Sequence, residues 1–319
     1  MKTIPPVHSI TLTAWLLPVI VAVSTLLNCA ANSQAAAFAP GEILVTELGT
    51  SSIQRYSVGG TLVQTFTGTG TTWEAAALTP DGNLVTTFRS PSPGLNIFSP
   101  TGSQLASFVP PNGEYILTDV SVFADGTLAA NRSSGGVQFW NQTGVLLKTV
   151  SLPGISFAFG STVGSDGILY VADPQTNNLA RVSASGVLLG NVSLSFSPGD
   201  LVMNPKDGTL WVSGRSNDRV EHIKTDGTDL GSFATGLSGN FDGIGLAPDN
   251  NSLYLTSIAS RVVEHRSLNG NLLGSFALFS PSTPVFLTVV PAATPEPSSA
   301  ALLLGGLALL AARRRRTLP

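Results

Sequence analysis

The sequence predicts an all-β fold, a six-bladed β-propeller of four-stranded blades. Two repeated columns of residues and the lack of helical periodicity predict it. Gly60, Gly102, Gly144, Gly186, Gly227 and Gly270 recur at intervals of 42, 42, 42, 41 and 43 residues. A second column keeps the same register: Pro40-Gly41, Asp81-Gly82, Asp125-Gly126, Asp166-Gly167, Asp207-Gly208 and Asp249-Asn250-Asn251. Between residues 40 and 290 no apolar pattern of helical period is sustained, while 33 glycines and 21 prolines supply turns. A period near 42 residues accommodates four short strands and their turns, which is one propeller blade.

Residues 1–37 read as a secretory signal peptide. Lys2 precedes the apolar stretch Ile10 to Leu27, and small residues follow from Ala30 to Ala37. Cleavage after Ala35 or Ala37 satisfies the small-x-small pattern. Leu26-Leu27-Asn28-Cys29 offers lipoprotein processing as the alternative, although Asn28 fits that box poorly. Cys29 is the only cysteine. Its removal with the signal leaves a domain that can form neither disulfides nor thiolate metal sites.

The propeller is expected over 41–291. Two residues after each turn of the second column comes an apolar residue: Ile43, Leu84, Leu128, Leu169, Leu210 or Leu253. Two further on stand Val45, Thr86, Ala130, Val171, Val212 and Leu255, on the same strand face. Three after each glycine of the first column sits Val63, Leu105, Leu147, Leu189, Leu230 or Leu273, and six after it Phe66, Phe108, Val150, Val192, Phe233 or Phe276. Naming the strands of a blade A to D, the A strands are expected at Trp73–Leu78, Asp119–Phe123, Phe157–Val163, Asp200–Met203 and Phe241–Leu246. The first unit starts at strand B, Ile43, and has no A strand of its own. The orphan strand Val285 to Val290 is expected to supply it by pairing with residues 43–47, closing the ring and removing exposed sheet edges.

Residues 292–297 form a linker containing Pro295-Glu296-Pro297. Residues 298–312 are an uncharged apolar run, and 313–319 a basic tail opening with Arg313, Arg314, Arg315 and Arg316. Fifteen helical residues span about 22 Å, short of a roughly 30 Å hydrocarbon core. The arginine block decides for a transmembrane helix, because like charges do not enter a core and do mark the cytoplasmic side of a span.

The order Pro295-Glu296-Pro297, apolar run, Arg313 to Arg316 resembles a PEP-CTERM sorting signal. That resemblance implies recognition and cutting near Pro-Glu-Pro by an exosortase, a membrane protease. It implies transient anchoring in the inner membrane of an exopolysaccharide-secreting Gram-negative bacterium, then release to the envelope or matrix. Asp166-Gly-Ile-Leu-Tyr-Val-Ala-Asp173 with Asn177-Asn178-Leu-Ala-Arg-Val182 resembles an NHL repeat, as does Asp207-Gly-Thr-Leu-Trp-Val-Ser213 with Asn217-Asp218-Arg219-Val220. Gluconolactonase/regucalcin-like propellers read similarly. Members of these families bind proteins, RNA or carbohydrate, and some are enzymes, so the fold leaves function open.

Candidate chemistry concentrates on the A strands, which line the central channel. Glu74, Asp119, Asp200 and Asp242 stand at or near strand A starts and are expected to approach one another at the channel mouth. Clustered carboxylates can hold a hard cation such as calcium. The competing and stronger reading is that they cap loops. Asp173, Arg89, Arg132, Arg215 and Arg219 are expected in loops on the same face, able to read an anionic or polyhydroxylated ligand. His222 and His265 occupy equivalent repeat positions, which explains them better than catalysis. Neither a nucleophile elbow nor a phosphate loop occurs. Asn131-Arg-Ser133, Asn141-Gln-Thr143 and Asn191-Val-Ser193 match glycosylation acceptors. Setting aside Lys2 and the four tail arginines leaves 11 basic against 19 acidic residues, a net of −8, which argues against nucleic acid. The reading that results is a non-enzymatic, exported, exosortase-sorted propeller with a carbohydrate or protein ligand and no required cofactor. The rival is a metal-dependent lactonase-like or lyase-like hydrolase at the channel mouth. A surface-layer component without a specific ligand is the third.

Overall fold

The computed structural model describes residues 37–48, 52–111, 116–237, 241–279 and 283–292. The expected signal peptide (its last residue apart), the Pro-Glu-Pro motif, the apolar helix and the basic tail lie outside the described residues. Among the described residues no helix is long and apolar enough to cross a membrane.

Among the described residues twenty-four strands form six four-stranded antiparallel sheets. Blade 1 holds β1 (Ile43–Leu48), β2 (Ser52–Tyr56) and β3 (Leu62–Thr67). Blade 2 holds β4 (Thr71–Leu78), β5 (Leu84–Ser90), β6 (Gly94–Phe98) and β7 (Gln104–Phe108). Blade 3 holds β8 (Leu117–Val122), β9 (Leu128–Arg132), β10 (Gly136–Trp140) and β11 (Leu146–Ser151). Blade 4 holds β12 (Ser161–Val163), β13 (Ile168–Asp173), β14 (Asn178–Ser183) and β15 (Leu188–Ser193). Blade 5 holds β16 (Pro198–Asn204), β17 (Thr209–Gly214), β18 (Arg219–Ile223) and β19 (Asp229–Ala234). Blade 6 holds β20 (Phe241–Leu246), β21 (Ser252–Ser257), β22 (Val262–Ser267) and β23 (Leu272–Ala277). The last strand, β24 (Thr283–Val289), returns to blade 1.

The expected closure is present. β24 pairs antiparallel with β1 in the register Ile43↔Val289, Leu44↔Thr288 and Val45↔Leu287. The register shifts between Val45 and Glu47. There the Thr46 hydroxyl accepts the Phe286 N–H at 3.2 Å and donates to Glu74 O at 2.5 Å, tying the closing strand to blade 2. The six innermost strands β24, β4, β8, β12, β16 and β20 touch in sequence around the axis.

Packing explains the repeat columns. A blade is covered on both faces by neighbours, so its B strands are buried along nearly their whole length, while its C strands alternate apolar with polar residues. Six core clusters result, one between each pair of adjacent blades. The first glycine column lies in the turns between strands C and D, with positive φ throughout. There a second requirement joins the backbone one. A β-carbon on Gly144 would lie 2.2 Å from the Phe108 ring, and one on Gly60 2.3 Å from Phe276. Each of these aromatics sits on strand D of the preceding blade, and the Gly60 contact joins blade 1 to blade 6. At Gly60, Gly144, Gly227 and Gly270 the glycine column thus meets the Phe/Val column across a blade interface, whereas the nearest side chains at Gly102 and Gly186 are Gln64 and Lys148.

One expected element is shortened. Blade 4's innermost strand runs from Ser161 to Val163, not from Phe157. The buried Asp173 carboxylate accepts the N–H groups of Ser156 at 2.5 Å and Phe157 at 3.3 Å, which takes that segment out of the ladder.

Candidate functional site

The A strands deliver the acidic residues through β-bulges. In blades 2, 5 and 6 the A–B register shifts between Trp73 and Ala76, Pro198 and Leu201, and Phe241 and Gly243. Glu74, Asp200 and Asp242 lie in those shifts. In blade 3 the shift falls at Leu117/Asp119. A bulge re-aims side chains that a regular ladder would place by strict alternation.

The four carboxylates, all buried, do not form one set. Glu74 pairs with Arg89 at the end of strand B of its own blade. Asp242 lies 3.1 Å from Arg215 Nε of the neighbouring blade, in an ion pair whose geometry makes no hydrogen bond to either carboxylate oxygen. Burial still pushes Asp242 up to about 7, against the lowering influence of Arg215. Asp119 and Asp200 face the channel instead. Asp119 Oδ2 accepts the Ser161 hydroxyl at 2.7 Å, and Ser161 lies 2.9 Å from the Ser121 hydroxyl. Asp200 Oδ1 accepts Leu201 N–H at 2.8 Å and its Oδ2 accepts Ile244 N–H at 3.3 Å. Burial pushes Asp119 up to about 7. It raises Asp200 strongly too, with the neighbouring Asp119 adding to the rise. Such a pair is stable when it holds a proton.

Asp119 and Asp200 line a central cavity of about 560 Å³, walled mainly by Val, Leu, Ile and Met of the innermost strands. Its inner end carries Phe286 of β24. Phe159, from the connection into blade 4, reaches across the axis to that ring, with centroids 5.1 Å apart. Phe157 stacks behind Phe159, and Arg215 lies over the Phe159 ring at 4.4 Å. This aromatic layer closes the channel toward the strand A starts. The cavity continues toward the A–B turns, where Pro205, Pro248, Asn250, Pro291 and Ala292 join its lining. The acids were expected at a mouth. Two of them instead lie inside a channel stoppered on that side, and Glu74 and Asp242 are absent from its lining. Among the described residues no group of three or more His, Cys, Asp or Glu side chains is placed to hold a metal ion.

The remaining candidates are distributed as follows. Asp173 is a structural cap: besides Ser156 and Phe157 it accepts Gln175 N–H and the Thr176 hydroxyl. Arg219 lies against Glu221 at 3.7 Å and donates to the Ser232 hydroxyl. Arg132 ends β9. His222 stacks on Trp211 with centroids 4.0 Å apart and meets Thr209 Oγ1 at 2.8 Å. His265 repeats this on Tyr254 and Ser252. Both stacks stand outside the channel lining. Of the glycosylation matches, Asn131 is fully buried and the Asn191 amide donates to Pro153 O at 2.7 Å. Sequence reasoning missed Ser121, Ser161, Phe159 and Phe286. Phe159 and Phe286 were within reach, as aromatics on strands already assigned to the channel wall.

Residues 293–316 match the family model described as the PEP-CTERM protein-sorting motif. The C-terminus therefore carries that motif, which implies an exported protein processed by an exosortase. No curated protein matches the chain by sequence. Solved structures match the fold. A nidogen/laminin complex chain aligns with TM-score 0.65 and 15% identity over 78% of this chain and 98% of that one. A protein of unknown function from Bacteroides caccae gives 0.63 and 14%, covering 79% and 99%. Virginiamycin B lyase from Staphylococcus aureus gives 0.54 and 16%, covering 66% and 71%. At these identities the likeness is one of fold.

Proposed function

We propose that this protein is an exported, non-enzymatic binding module, anchored in the membrane through its C-terminal signal and released to the envelope or matrix by processing. The observation that carries the reading is the dispersal of the reactive side chains. Two of the four strand A acids are engaged by Arg89 and Arg215, the other two hydrogen-bond to serine and backbone, and the histidines are stacked on the blade flanks. The lyase likeness motivates the rival, a hydrolase at the channel mouth. The aromatic layer stands where that mouth would open, and two carboxylates are few for a calcium site.

The ligand face on this reading is the one formed by the D–A and B–C connections. It carries Arg89, Arg215 and Arg219, each partly exposed, and Phe279, which is 79% exposed. Guanidinium groups on the same face as an exposed ring suit an acidic saccharide or an acidic protein segment. A glycan array with the processed protein tests it, run together with elemental analysis. Retention of uronate-bearing or sulfated glycans, weakened by Arg219→Ala, is the expected result. Stoichiometric metal combined with hydrolysis of a lactone panel would transfer the assignment to the rival.

A further inference from the structure

Both ends of the ring leave from one face. Gly41 N–H donates to Val290 O at 2.9 Å and Val290 N–H to Glu42 O at 2.8 Å. Pro291 and Ala292 then lie at the cavity rim beside Pro205, Pro248 and Asn250 of the A–B turns. Only Ala293 and Thr294 separate Ala292 from Pro295 of the sorting motif. A fully extended chain gains at most about 3.3–3.6 Å per residue, so Pro295 stands no more than about 11 Å from the rim, and Ser298 no more than about 22 Å. A protease must enclose several residues around the bond it cuts. With so short a neck it cannot reach the Pro-Glu-Pro region without meeting the propeller.

We propose that the A–B turn face is a docking surface for the membrane-embedded sorting protease. The partner is a protein rather than the bilayer, because the turns that form the face carry Asp81, Asp125, Asp166, Asp207 and Asp249. That ring of carboxylates suits a basic protein surface and is repelled by anionic lipid. The carboxylates also shape their own turns: Asp207 Oδ1 accepts Thr209 N–H at 3.0 Å and Asp249 Oδ1 accepts Asn251 N–H at 3.0 Å. Asparagine at these positions removes charge while keeping an acceptor oxygen.

The full chain is expressed in a host carrying the sorting protease, and the ratio of precursor to processed protein is followed by immunoblot. The combined variant Asp81→Asn, Asp125→Asn, Asp207→Asn, Asp249→Asn is compared with the natural sequence, each with the natural neck and with ten Gly/Ser residues inserted after Ala292. The expected result is a several-fold rise in unprocessed precursor for the variant with the natural neck, and none with the long neck. Equal processing of variant and natural sequence at the natural neck overturns the proposal. So does an equal deficit at both neck lengths, which would report a folding defect. Co-sedimentation of the processed natural protein, but not the variant, with phosphatidylglycerol vesicles would assign the face to the bilayer and likewise overturn it.

Discussion

Single residues in this protein often answer to two demands at once, and the paired positions of the repeat separate them. Gly144 and Gly167 both have positive φ, at 86° and 73°. Only Gly144 also faces a ring, Phe108, while nothing stands within 4 Å of a β-carbon on Gly167. Gly167→Ala should cost about 1–2 kcal/mol from backbone conformation alone. Gly144→Ala should cost clearly more, read as the larger drop in thermal midpoint. The buried acids give a pH signature. Asp119 has its carboxyl raised from 3.8 to about 7, so the folded state holds a proton that the unfolded chain releases. Stability from this group is full below about pH 4 and falls as pH climbs through 7. Melting temperature should drop across that window, and Asp119→Asn should flatten the profile. A variant that melts with the same slope as the natural protein would refute the assignment. Neither the glycine contacts nor the raised acidity was readable from sequence. The glycine column showed that a constraint existed, and the identity of the opposing atom came only with the blade stacking.

At the scale of strands, the edges and the closure explain what the repeat was built to manage. The strand D column Val63, Leu105, Leu147, Leu189, Leu230 and Leu273 is apolar in every repeat. The structure leaves each of these 41–56% exposed on the outer rim. Period-two alternation identifies a strand face, but the outermost strand of a blade is only partly covered by its neighbours, so alternation alone cannot tell covered from bare. The bare edges carry few charges. They are blunted by a register shift in every C–D pair, for example Ile97/Phe98 in blade 2 and His265/Arg266 in blade 6. Leu105→Lys with Leu147→Lys and Leu189→Lys should therefore leave the melting temperature almost unchanged and slow aggregation on heating, followed by light scattering. At the closing strand, Thr46→Val leaves the buried Phe286 N–H without its acceptor and should cost about 1–3 kcal/mol. A change far below that would mean the hydroxyl does not bridge the shift. The closure itself was legible in the residues, because a first unit lacking one strand and a last segment with a spare one have a single economical solution. The acids were legible as strand A residues. Their partition into two ion pairs and one channel-facing pair was not, since it depends on bulges that leave no mark in residue identity.

The whole molecule is a ring whose last strand completes its first blade. The Thr46–Phe286 hydrogen bonds join residues 240 apart in sequence. Contacts so distant form late, and topologies dominated by them fold slowly. A chain that emerges from its N-terminus first must wait, with the β1 edge unpaired, until β24 arrives. The segment that ends at Ala292 is followed almost at once by the sorting motif, so the strand that shuts the ring and the signal that halts the chain leave the export machinery within moments of each other. Holding the C-terminus at the membrane during that interval confines the unfinished ring to a surface, where it meets fewer copies of itself than it would free in the compartment. On the proposed route the anchor thus also holds the ring at a surface while its last strand closes it.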